Sequence, residues 1–144
     1  MIRKIIATTA TWVPLPLRLG LGVVFIAHGL QKVLGSFNGP GLTKMMTFPA
    51  PYSFMRPSWL WMAMASFAEL IGGIFVLLGL FTRVGAFLIL CVMLAAMLGV
   101  HWPAFFAPAG IEFPMSLLAM SLALLISGGG IASVDLAIYG GRRR

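Results

Sequence analysis

Residues 13–34 read VPLPLRLGLGVVFIAHGLQKVL, a stretch in which only Arg18, His28 and Lys32 carry ionisable side chains. A hydrocarbon core about 30 Å thick is crossed by about 20 mostly apolar residues rising roughly 1.5 Å each. The stretch therefore predicts a membrane-spanning helix, and its three basic side chains are what has to be explained. A charge in mid-membrane costs a few kcal/mol or more unless it faces a bundle interior, pairs, or snorkels to the interface. At about 100° per residue, Arg18, Gly22, Phe25, Gly29 and Lys32 share an arc of roughly 80°, with His28 flanking it. That arc is the expected interior face, where the glycines let a neighbouring helix approach closely.

The rest of the chain agrees. Of its 144 residues 60% are hydrophobic and only 9% charged, with a mean hydropathy of +1.03. A soluble domain carries about 25% charged residues, so the bilayer must serve as part of this protein's solvent. The formal charge of +7 belongs to residues flanking spans, which fix orientation and meet anionic head groups. No basic run interleaved with aromatics tracks a phosphate backbone, so no nucleic-acid partner is expected. The single cysteine, Cys91, excludes an internal disulfide or CxxC dithiol. A basic start followed by an apolar run resembles a signal peptide, but Arg18 interrupts it and no A-x-A-like site follows, so an uncleaved first span is expected.

Further spans are expected at about 59–80, 84–101 and 113–127, the last one short and stopped by Gly128, Gly129 and Gly130. The predicted fold is all-α, a single domain over residues 1–144 forming an integral membrane four-helix bundle. With four spans, Arg3, Lys4, Arg18, Arg83 and Arg142 to Arg144 gather near one face, against Lys32, Lys44 and Arg56 near the other. The positive-inside tendency then puts both termini in the cytoplasm of a multi-pass protein of the inner, or plasma, membrane. Between the first two spans, residues 35–58 form a long external loop rich in Pro, Met and aromatic residues, which reads either as a lid on the outer leaflet or as an apolar linker. Trp12, Trp59, Trp61 and Trp102 fall at span ends, as an aromatic belt would.

Five side chains are candidates for an intramembrane polar pocket: Arg18, His28, Lys32, Glu69 and His101. Glu69 sits near the middle of the second span and needs a partner. By helical rise it lies about 15 Å below Trp59, and His28 about 9 Å below Leu34. A contact between the two requires some vertical offset, and Arg18 is the other candidate partner. His101 and Glu112 bracket the second external loop and, with Lys32, outline a polar mouth. Each has a bland reading: a snorkelling Lys32 or Arg18, an interfacial His101, an acid opening the fourth helix. No metal site is expected, and haem is disfavoured because His101 lies about 9 Å nearer the surface than His28. Motifs for hydrolysis or nucleotide binding are absent from the sequence.

Four stretches, LRLGLGVVFIAHGLQKVLG, AELIGGIFVLLGLFTRVGAFLI, HWPAFF and GGGIASVD, in this order and spacing, resemble the DoxX family of small four-helix membrane proteins, over about Leu17 to Asp135. Carried over by position, the family pattern falls on Arg18, His28, Gly29, Lys32, Glu69, Gly72, Gly73, Arg83, His101 and Asp135. The resemblance implies a transmembrane bundle associated with respiratory or redox complexes, some of them handling quinols or oxidative stress. On that basis the expected function is a membrane subunit of a quinone-linked redox complex, binding a quinone or similar amphiphile near the outer leaflet. Lys32 or His28 would hydrogen-bond a quinone carbonyl, and Glu69 would exchange a proton. Electrons would come from a redox protein partner, and a second copy of the chain is a further expected partner. Two alternatives stand beside this: a small-solute or proton-linked transporter using Arg18, Glu69 and His28 as a ladder, and an anchor or assembly subunit without its own chemistry.

Overall fold

A computed structural model describes residues 5–106, 108 and 110–141. Arg3, Lys4 and Arg142 to Arg144, which carry much of the orientation argument, lie outside the described residues. Among those described, the chain is all-helical: α1 (Pro14–Val33), α2 (Gly41–Met45), α3 (Ser58–Leu78), α4 (Thr82–Ala96), α5 (Glu112–Ser127) and α6 (Val134–Gly141). A 3-10 turn spans Ser36–Asn38, and a π-helical segment, Met97–His101, continues α4.

Local chemistry sets the ends. Prolines open α1, where a missing N–H costs nothing. The left-handed Gly79 (φ 65°) closes α3, its N–H donating to the Val76 carbonyl while Leu80 N–H donates to Phe75, the paired bonds of a Schellman ending. Helix α6 follows Ser133, whose hydroxyl accepts the Leu136 N–H as an N-cap. The sequence reading left this helix out, although the S-x-x start was there to be seen.

Helices α3 and α4 with its π extension are each long and apolar enough to cross a membrane; α1 joins them if it and the Ser36–Met45 segment, bent by 89°, count as one span. The protein is a multi-pass membrane protein. Helix α5, expected as a short fourth span, has 16 residues and about 24 Å of rise, and by length and composition it ranks as a shorter apolar helix below the three.

The long helices pack in a ring, α1 on α3, α3 on α4, α4 on α5 and α5 back on α1. Leu21, Phe25, Val76, Ala86, Ile89, Met93, Leu117 and Leu124 fill its centre, while Val23, Phe87, Leu122 and Ile126 are exposed around it, as lipid-facing side chains are.

Glycines fix the register of α1 against α3. A Cβ on Gly22 would lie 2.8 Å from that of Leu77, one on Gly29 only 2.5 Å from the Leu70 Cα, and one on Gly73 2.8 Å from the Ile26 backbone nitrogen. The helices are therefore antiparallel, with 22 beside 77, 26 beside 73 and 29 beside 70. In this register the first two turns of α3 rise about 12 Å past the end of α1. The chain folds back over that step: α2 packs on both α1 and α3, and Met45 is buried. Residues 35–57 are thus partly helical and docked, not an irregular linker.

Candidate functional site

Two polar clusters sit at opposite ends of α1, about 21 Å apart along its axis. Arg18, on its second turn, is 2% exposed. Its guanidinium donates to five backbone carbonyls: Nε to Val76 (3.0 Å), one terminal nitrogen to Leu77 (2.9 Å) and Ala132 (3.2 Å), the other to Gly129 (3.1 Å), Ile131 (3.3 Å) and Ala132 (3.2 Å). Val76 and Leu77 belong to the last turn of α3, where carbonyls released from the i+4 ladder and the helix dipole both favour a cation. The other three carbonyls lie in the turn between α5 and α6. Asp135, 1% exposed, supplies the compensating charge through space. Its own carboxylate accepts the N–H groups of Phe81 (2.8 Å) and Thr82 (2.8 Å) and the Thr82 hydroxyl (2.7 Å). It thereby caps the start of α4 from a distance. Arg83 completes this end, donating to the carbonyls of Ala7 and Leu125. The cluster ties five helices together and its arginines donate to backbone carbonyls. Its role is structural.

The second cluster is different. Lys32, in the last turn of α1, donates to Glu69 Oε1 at 2.5 Å. Glu69 is 2% exposed and the Lys32 side chain 26%. The partner of the buried acid is thus neither His28 nor Arg18. The glycine-set register places Lys32 beside Glu69, whereas His28, at about 80° from the centre of the packing arc, is exposed. The second carboxylate oxygen, Glu69 Oε2, is buried and has no hydrogen-bond partner. Such orphans are rare in native proteins, and each calls for an explanation.

Lys32 and Glu69 both line a cavity of about 640 Å³ formed where α3 outruns α1. Met45, Pro49, Ala50, Pro51 and Met55 of the connecting segment roof it; Met62, Ser66 and Glu69 of α3 and Val92, Ala95 and Gly99 of the α4 side wall it. The roof is latched by close packing: a Cβ on Gly99 would lie 2.7 Å from that of Pro51, and the Tyr52 hydroxyl donates to the Ala95 carbonyl at 3.4 Å. Trp61, Met64, Cys91 and Val100 line the cavity and are also exposed on the flank of the bundle, so its mouth opens sideways, toward the bilayer. A second hollow of about 630 Å³ shares Pro49, Ala50 and Met55 with it and is lined also by Arg56.

Of the five side chains expected to share a pocket, the structure brings Lys32 and Glu69 together, sets Arg18 at the other end, and leaves His28 on the outer surface. His101 is half-buried, one residue past the lining residue Val100. The methionines of the lining, and the orphaned oxygen, were not foreseen. Four of the lining residues are Met45, Met55, Met62 and Met64, and the Met-rich loop composition was the available signal. Among the described residues, no three His, Cys, Asp or Glu side chains converge as metal ligands.

Comparison with known proteins places these features in context. The DoxX family model matches residues 13–102, which include α1, the roof segment, α3, α4 and its π extension. The chain is 30% identical over 133 residues to "Putative oxidoreductase CatD" of Bacillus subtilis (strain 168), covering 88% of this chain and 87% of that protein. No solved structure matches.

Proposed function

This chain belongs to the DoxX family, and from that premise we propose that it is a membrane subunit of a redox system whose cavity takes a quinone or similar amphiphile from the bilayer. The observation that carries the reading is one ion pair set into an otherwise apolar, laterally open cavity of about 640 Å³. That volume lies in the range of ligand sites, about 300–1,000 Å³, and a few placed polar groups among apolar walls are their usual makeup. Lys32 holds an oxygen of the head group, and Glu69 gives or takes the proton that accompanies its change of redox state. A partner protein supplies or removes the electrons. The name of the Bacillus relative, "Putative oxidoreductase CatD", agrees with a redox setting.

In the plasma membrane the roofed end faces outward and both termini lie in the cytoplasm, an orientation supported by the sequence count of seven basic residues, Arg3, Lys4, Arg18, Arg83 and Arg142 to Arg144, on the terminal side of four spans against Lys32, Lys44 and Arg56 on the other. A proton-linked transport path draws less support, because Arg18 is engaged by carbonyls and His28 points outward.

Cys91, the single cysteine, is exposed on the cavity wall and serves as the probe. In lipid nanodiscs a lipophilic maleimide should label it. A fully ring-substituted short-chain quinone, unable to add the thiol itself, should slow labelling several-fold, and Ala65→Phe, which fills the cavity, should remove that protection. Labelling that proceeds at the same rate under saturating quinone would refute the proposal.

A further inference from the structure

We propose that the second hollow, at the start of α3, holds the phosphate of an anionic phospholipid from the adjoining leaflet, with Arg56 as the residue that binds it. This goes beyond the cavity reading and does not depend on it. Helix α3 has 21 residues, about 31 Å of rise, against a hydrocarbon core about 30 Å thick. Its first residue, Ser58, therefore sits at the edge of that core, where head groups begin. Trp59, next in the chain, is 50% exposed, as tryptophans at a membrane interface are. The hollow, of about 630 Å³, is lined by Ser53, Arg56, Pro57 and Ser58 among others. Ser53, Arg56 and Pro57 are exposed, so it opens on the protein surface at this depth.

Arg56 is the cation of the hollow, and its donors are unspent. Among the described residues its guanidinium has no hydrogen bond or ion pair, whereas Arg18 and Arg83 donate to backbone carbonyls. Residues 35–58 contain Lys44 and Arg56 and no acid. Of the acids elsewhere, Glu69 is taken by Lys32, Asp135 belongs to the opposite end, and Glu112 makes no ion pair with Arg56. A planar fork of N–H donors matches a phosphate bidentately. The hydroxyls of Ser53 and Ser58, also without a partner among the described residues, supply donors for its remaining oxygens. A zwitterionic head group brings an ammonium for which this basic segment has no carboxylate, so a lipid of net negative charge is favoured.

The test titrates the full-length protein, delipidated in detergent, with phosphatidylglycerol and with phosphatidylethanolamine of the same acyl chains. Native mass spectrometry reads the dissociation constant of the first lipid bound. Phosphatidylglycerol should bind about 5-fold tighter, the worth of one basic residue at an anionic membrane surface. Arg56→Gln should bring that ratio to near one, and because Arg56 holds no other residue the variant should fold. Lys44→Gln removes the same charge from outside the hollow and should leave the ratio nearly unchanged. Equal affinity of the two lipids for the wild-type protein overturns the site. An equal fall in both variants also overturns it, because diffuse charge then accounts for the preference. Millimolar inorganic phosphate should not displace the lipid; displacement would assign the hollow to a soluble anion and overturn the lipid reading.

Discussion

Replacing Arg18 with lysine keeps the charge and removes the geometry. The guanidinium makes six hydrogen bonds to five carbonyls, using a planar fork of five N–H donors. An ammonium has three donors on one atom; the Val76 carbonyl keeps the Gly79 N–H, so of the four carbonyls that depend on Arg18 at least one loses its partner. Each buried acceptor left unpaired costs about 1–3 kcal/mol, and Arg18 is 2% exposed, so water cannot step in without opening the bundle. Arg18→Lys should therefore destabilise the protein by at least roughly 1–3 kcal/mol, a sizeable share of the 5–15 kcal/mol typical of a folded domain. The assay is denaturant unfolding in mixed detergent micelles, followed by far-UV circular dichroism. Under native conditions the folded fraction of the variant should still bind the cavity ligand with wild-type affinity, because the two clusters are about 21 Å apart along α1. A variant within about 0.5 kcal/mol of wild type would refute the reasoning, since ordinary surface changes fall in that range. It would mean that the α3 terminus and the α5–α6 turn are held by packing alone.

Two other outcomes follow from the same geometry. Lys32→Met strands a buried carboxylate and should destabilise by about 1–3 kcal/mol, less than a fully buried pair would show because Lys32 is partly exposed. The double variant Lys32→Met, Glu69→Met should recover most of that loss in the same unfolding assay, whereas simple additivity of the two changes would deny the pair its coupling. Gly29→Ala puts a methyl 2.5 Å from the Leu70 Cα, so α1 and α3 must separate. Overpacking of this kind costs about 1–3 kcal/mol, and an undiminished unfolding midpoint would contradict the close approach.

Much of the fold was legible in sequence because bilayer solvation writes a coarse, long-period signal. Twenty apolar residues mean a span, and the observed helices Pro14–Val33 and Ser58–Leu78 begin and end within two residues of the expected ones. The stripe from Arg18 to Lys32 was also correctly read as buried or half-buried at every position, since helical periodicity puts those side chains on one face. His28 shows the limit of that reading. It flanks the stripe, and whether a flank is buried depends on how wide the neighbouring helix is, which no single helix records. The roof segment shows another. Its prolines promised irregular chain, but the step left by α3 outrunning α1 gave Met45 and α2 a surface to bury against.

Sequence alone determined that the chain is helical, membrane-embedded and furnished with an acid and a handful of bases inside its apolar spans, because composition and helical period are properties of one strand of residues. Which base meets which acid was decided only in three dimensions. Three glycine contacts set the α1–α3 register, and that register, accurate to a single helical turn, gives Glu69 to Lys32, turns His28 outward, and sends Arg18 to the carbonyls at the far end. The cavity and its orphaned carboxylate oxygen exist only because two helices of unequal reach are clamped at that one offset.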